Sequence, residues 1–149
     1  MKSLWIDFNP SGTQLVQCGN EMIRFWDING RNILFQDALL GGRAKMMGFM
    51  SFGWVGNNCV VGAADGQLYR FMGRQLDGMT LAHNGCVNCV TYSPEGICTA
   101  GTDGFVKIWT SQLECRIVVE MKLLQTFNFN PRVVSWDTVL NRILIGTMF

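Results

Sequence analysis

A single histidine, His83, is all the imidazole this 149-residue chain has, so no site needing a second imidazole can be built from it. Proline is scarce, three residues against 17 glycines, which points to turns and close-packed strands rather than a disordered linker. Charge is sparse as well: 15% of residues are charged and the formal net charge is +1, so there is no electrostatic footprint for nucleic acid or an anionic membrane. No apolar run approaches the roughly 20 residues that span a bilayer. Asp7 and Asn9 follow Trp5 too closely to leave a signal-peptide core. The expectation is a soluble, cytoplasmic protein that binds no nucleic acid and inserts in no membrane.

What the chain does have is hydrophobic residues (48%) and six cysteines, at 18, 59, 86, 89, 98 and 115. Without a secretory signal these read as reduced thiols filling small core positions. His83, Cys86 and Cys89 have a spacing reminiscent of zinc ligands, but residues 87–92 read as a strand. Positions three apart on a strand face opposite sides, so the ligands would not converge. No phosphate loop, catalytic carboxylate pair or metal cluster is present elsewhere, and no cofactor is expected.

The organising feature is a repeat. Phe8-Asn9-Pro10-Ser11-Gly12 returns as Tyr92-Ser93-Pro94-Glu95-Gly96, with Phe52-Gly53-Trp54-Val55-Gly56 between them and Trp136-Asp137-Thr138 after. The aromatics at 8, 52, 92 and 136 are 44, 40 and 44 residues apart, the period of a four-stranded propeller blade. Residues 59–71 align without gaps on 97–109, each an apolar strand, an Asp-Gly turn (Asp65-Gly66, Asp103-Gly104) and an alternating strand. Asp-Gly between two such runs is a strong hairpin signal, because Gly supplies the positive φ of a tight turn. The third unit predicts strands at about Val87–Tyr92, Ile97–Gly101, Phe105–Thr110 and Cys115–Met121. Met46-Met47-Gly48-Phe49-Met50 is placed in the first strand of the second unit, its methionines in the core. The blades are expected at about 1–40, 41–80, 81–122 and 123–149, the last incomplete. The fold class is all-β, about three and a half blades of a larger propeller.

The third unit also carries His83, Thr99, Asp103 and Trp109. These four resemble the structural tetrad of WD40 proteins, and the resemblance implies a relay from Trp109 through Thr99 and His83 to Asp103 that would satisfy buried polar groups and tie the loop before the first strand to the turn between strands two and three. A hydrolase reading of His83, Asp103 and a hydroxyl is the alternative, but threonine is a poor nucleophile away from a chain N-terminus. In the first unit Trp26-Asp27 is retained, with Asn20 at the turn and Val16 assigned to the hydroxyl position. The second keeps Asp65 but has Val61 and Phe71. Those blades are expected to rest on apolar packing.

His83, Thr99, Asp103 and Trp109 have the order and spacing of the structural tetrad of WD40 proteins, which the chain therefore resembles. A narrower likeness covers residues 45–147: Met50-Ser51-Phe52-Gly53, Gly62-Ala63-Ala64-Asp65-Gly66-Gln67-Leu68-Tyr69, Gly73-Arg74-Gln75-Leu76, Ala82-His83-Asn84-Gly85 and Ile143-Leu144-Ile145-Gly146-Thr147. This course is similar to that of the echinoderm microtubule-associated protein-like family. The resemblance implies a non-catalytic scaffold, tubulin or microtubules as partner, and a cytoskeletal location. A generic adaptor in another multiprotein complex, or an accessory domain of an enzyme, is the competing expectation. One loop face, comprising Asn20, Glu21, Ala64, Asp65, Asn84 and Thr102, is the candidate partner-binding surface. Because closed propellers have about 4–8 blades, the remaining blades are expected from the same or another chain.

Overall fold

The computed structural model describes residues 2–123 and 130–148. The expected opening of the fourth blade, residues 124–129, lies outside the described residues. Three four-stranded antiparallel meanders and one hairpin follow one another along the chain. The first sheet is β1 (Ser3–Phe8), β2 (Gln14–Gly19), β3 (Met22–Asn29) and β4 (Asn32–Asp37). The second is β5 (Phe49–Val55), β6 (Asn58–Ala63), β7 (Gln67–Met72) and β8 (Gln75–Leu81). The third is β9 (Val87–Ser93), β10 (Gly96–Gly101), β11 (Phe105–Trp109) and β12 (Cys115–Glu120), followed by a 3₁₀ turn at Met121–Leu123. β13 (Asn130–Asp137) pairs with β14 (Arg142–Met148) to give the fourth. The repeat dictates this: the inner strands, β6 and β10 above all, are buried on both faces, so the sheets must stack.

Both faces of the middle sheets are buried. Val16, Cys18, Ile23 and Phe25 of the first sheet pack on Phe49, Phe52, Trp54, Val61, Tyr69 and Phe71 of the second. Phe25 and Phe71 meet with ring centroids 5.9 Å apart, and Phe49 meets Tyr69 edge-on at 5.6 Å. The opposite face of the second sheet, Val60 and Leu68, covers Val87, Val90, Ile97 and Trp109 of the third. Cys89, Cys98, Ala100 and Val106 on the third sheet's far face then meet Val134, Trp136, Ile143 and Ile145. Burying one such side chain contributes ~1.5–3 kcal/mol, so these interfaces dominate the fold's stability. Polar ties add direction: the Val90 N–H donates to Ser51 Oγ (2.6 Å) and Asn88 Nδ2 donates to the Pro131 carbonyl (2.9 Å).

The ladders correct two assignments made from sequence. Phe8, Phe52, Tyr92 and Trp136 all lie on the first strand of their sheets. By pairing, however, Phe8 opposes Leu15, Trp54 opposes Cys59, and Tyr92 opposes Ile97, whereas Phe52 opposes Val61. Trp54, two residues on, is therefore the counterpart of Tyr92, and Phe52 that of Val90. Met46, Met47 and Gly48 precede β5 instead of opening it, with Gly48 bridged to Asn20.

Candidate functional site

In each meander the turn between the second and third strands lies beside the loop entering the first, so both gather at one end of the stack. The third sheet shows how that end is held. The backbone N–H groups of Ala82 and His83 both donate to the Gly66 carbonyl, each at 3.0 Å, so the Asp65-Gly66 turn of one sheet carries the loop of the next. Gly66 has φ +85°, and a Cβ there would run into the His83 and Gly85 carbonyls, so no other residue fits. Lys107 Nζ donates to the Ala82 carbonyl at 2.5 Å. Held in this way, His83 is buried at 2% exposure.

From there a chain of hydrogen bonds crosses the blade. Trp109 Nε1 donates to Thr99 Oγ1 at 2.9 Å, and Thr99 Oγ1 lies 2.8 Å from His83 Nε2. His83 Nδ1 lies 2.9 and 3.2 Å from the two Asp103 carboxylate oxygens. The one arrangement in which every proton has an acceptor is a neutral imidazole with the proton on Nδ1, given to Asp103, while Nε2 accepts from the Thr99 hydroxyl. Asp103 also accepts the backbone N–H groups of Asn84 (2.9 Å) and Phe105 (3.2 Å). Burial lowers the His83 pKa, outweighing the Asp103 carboxylate that favours the charged form. Burial works against the Asp103 carboxylate as well, but hydrogen bonds from Asn84, His83 and Phe105, with attraction to the imidazole, hold its pKa below the usual range.

Gly101 makes room for the ring: a Cβ at that position would overlap His83 and Asp103. Its counterpart in the second sheet is Ala63, on the same rung of the gap-free alignment, and the residue in place of His83 is the exposed Lys45. There the turn carboxylate Asp65 instead accepts from the Tyr69 hydroxyl at 2.6 Å. In the first sheet Trp26 Nε1 donates to Gln17 Oε1 at 3.1 Å. Trp26 opposes Leu15 as Trp109 opposes Ile97, so Gln17, not Val16, holds the hydroxyl position; Val16 points into the interface with the second sheet. The Asn20-Glu21 turn is one residue shorter than its counterparts, and counting back from it lands on the wrong face. Both blades thus keep a polar tie where apolar packing alone was expected. Rung-by-rung comparison of Trp26 with Trp109 could have found Gln17; nothing in the sequence pointed to Gly66 or Lys107 as supports of the loop.

The six loop residues are all exposed and lie at this end. Asn20, Glu21 and Ala64 converge on one strand entrance: Glu21 N–H donates to the Met47 carbonyl and Ala64 N–H to the Gly48 carbonyl, both at 2.8 Å. Asn84 and Thr102 flank the His83–Asp103 pair, the Thr102 N–H donating to the Cys86 carbonyl at 2.9 Å. Burial raises the Cys86 thiol pKa, Arg132 opposes it, and Asp65 adds a smaller push upward. Of the earlier zinc candidates, His83 has both ring nitrogens engaged, and Cys89 Sγ faces the Val134 carbonyl at 3.7 Å.

Sequence and structure comparisons agree with this geometry. Residues 77–110, the segment holding all four relay residues, match the family described as "WD domain, G-beta repeat". The blades are WD40 blades. Among solved structures, the WD40 blades resemble a chain of the "Crystal Structure of Mitotic Checkpoint Complex", with TM-score 0.77 and 14% identity over 97% of this chain and 44% of that one. They also resemble the "WD40 beta propeller domain of Doa1", with TM-score 0.70 and 13% identity over 89% of this chain and 44% of that one. At those identities the likeness is one of fold. A curated relative, the guanine nucleotide-binding protein subunit beta-like protein of Encephalitozoon cuniculi (strain GB-M1), is 32% identical over 117 residues, covering 70% of this chain and 33% of the relative. The chain thus spans about a third of that relative's length and under half of either solved chain.

Proposed function

We propose that these WD40 blades act as a non-catalytic platform for other proteins, with the exposed turns Asn20-Glu21, Ala64-Asp65, Asn84 and Thr102 as the contact surface. The observation that carries this reading is the hydrogen-bonded anchoring of those turns, which presents them on a rigid end of the stack rather than on free loops. With units at 1–40, 41–80, 81–122 and 123–149, these turns come from the first three. Catalysis is disfavoured by the same geometry: the Thr99 hydroxyl is fully buried and already engaged with both His83 and Trp109, so no substrate reaches it. Affinity capture tests the surface. Partners retained by the chain should be lost from a variant carrying Glu21→Arg, Asp65→Arg and Thr102→Arg, and equal capture would move the contact elsewhere.

The finer reading is a microtubule-associated protein of the cytoplasm and cytoskeleton. It is supported by the motif course over residues 45–147; the curated relative above carries a different name and adds nothing to it. Co-sedimentation with polymerised tubulin at micromolar concentration separates the two. Recovery in the pellet supports tubulin as the partner, and retention in the supernatant leaves the scaffold reading alone.

A further inference from the structure

Among the described residues, β4, β8 and β12 are the outer edges of the three complete sheets. A free edge offers a row of backbone donors and acceptors to another strand, and lysine or proline commonly blunts it. β12, Cys115–Glu120, has neither, and Ile117 and Val118 stand 48% and 55% exposed on it. A bulge interrupts its pairing between Cys115 and Ile117, and from Ile117 to Glu120 the ladder with β11 is regular. That ladder says which backbone groups are free. The Met121 N–H donates to the Gly104 carbonyl at 3.0 Å. Bonds in an antiparallel pair alternate along the strand, so Val119 and Ile117 also face β11, while Val118 and Glu120 turn their N–H and C=O groups outward.

Charge identifies the strand that fits there. Glu114, Arg116, Glu120 and Lys122 lie symmetrically about Val118, in the order acid, base, acid, base. Turned antiparallel about Val118, the same sequence sets Arg116 beside Glu120 of a second copy and Glu114 beside its Lys122, and symmetry repeats both pairs. Val118 then lies opposite itself, where its outward N–H and C=O meet those of the other copy. Opposite charges across a strand pair are favourable and like charges unfavourable, so the pattern selects this register. Within one chain Glu120 already pairs with Lys122 at 2.6 Å, whereas the exposed Arg116 has no carboxylate partner among the described residues. The other outer edges lack the pattern. β4 and β8 each carry a single acid and no base, Asp37 and Asp77, held by Arg24 and Arg70 of their own sheets. We propose that the chain forms a symmetric dimer by antiparallel pairing of β12 with β12 of a second copy, centred on Val118. The interface uses none of the loop-face residues and stands whether or not that face binds a partner.

Sedimentation equilibrium of the full chain, up to millimolar concentration, measures the association. The chain should dimerise, and less tightly as salt rises, because the charge pairs are exposed. Arg116→Glu and Glu120→Arg each set like charges opposite one another and should each weaken the dimer at least tenfold. Both changes in one chain exchange the two signs and should restore it. Val118→Pro removes an N–H that β11 does not use, so it should leave the fold intact and abolish the dimer. If that variant fails to fold, the charge reversals carry the test. A monomer at every concentration, association that survives the single reversals, or a double reversal as weak as either single one overturns the proposal.

Discussion

Replacing His83 by alanine removes the centre of the third blade's relay, and the size of the loss follows from what each partner keeps. Asp103 retains the Asn84 and Phe105 N–H groups and is partly open to solvent, so it forfeits one bond worth about 1 kcal/mol net. Thr99 keeps the Trp109 proton but its own hydroxyl proton, at a fully buried residue, loses its acceptor, which costs about 1–3 kcal/mol. The expected loss is therefore about 2–4 kcal/mol, before any term for the cavity. Asp65→Ala is the comparison: the Tyr69 hydroxyl and the Gln67 backbone and side-chain amides lose the carboxylate, but the turn is exposed and water can replace it, for about 1 kcal/mol. Urea unfolding followed by tryptophan fluorescence measures both. Losses of equal size would refute the reasoning, because they would mean the four third-blade residues hold no more than one exposed turn carboxylate does.

Two further outcomes follow from the same geometry. Gly101→Ala should destabilise the chain as much as His83→Ala, and in a His83→Ala background should cost far less, since the added methyl then enters the vacated ring position; additive losses in the double variant would contradict the overlap. Stability should fall on both sides of neutrality. The unfolded chain protonates His83 near pH 6.5 while the native pKa is lowered, so this group's contribution is complete above that value and drains as the pH falls below it; the lowered Asp103 pKa adds a second loss below about pH 4. On the alkaline side burial pushes the Cys18 and Cys98 thiols up to about 12, so stability is complete below their unfolded value of about 8.5 and drains as the pH rises above it. Unfolding midpoints measured from pH 4 to 10 check both limbs, and a flat profile from 6.5 down to 4.5 would place His83 in solvent.

The parts of the fold that were legible in the sequence are those written in local spacing. Asp65-Gly66 and Asp103-Gly104 fixed two hairpins because a tight turn demands Gly at positive φ, and the structure has φ +85° and +82° there. Thr99, Asp103 and Trp109 could be placed because their separations are set within one hairpin. What failed depended on which face a residue takes. A turn shorter by one residue moved the hydroxyl position of the first blade from Gln17 to Val16, since successive strand residues point to opposite sides. Phe52 and Trp54 lie on the same face, so only the ladder, through Val61 and Cys59, tells which one answers to Tyr92. Contacts between sheets, such as Ser51 with Val90 or Gly66 with the His83 loop, join segments 17 to 39 residues apart and leave no periodic trace.

Because His83 is the only histidine, one spectrum reads the relay on which the anchored loop face depends. The measurement is the ¹⁵N chemical shift of the two imidazole nitrogens across pH 5 to 8 in the labelled chain. The account predicts a neutral ring with the proton on Nδ1, an Nε2 shift typical of a hydrogen-bonded acceptor, and a titration midpoint below 6.5. A ring protonated on Nε2, or one that titrates at or above the free value, would contradict it.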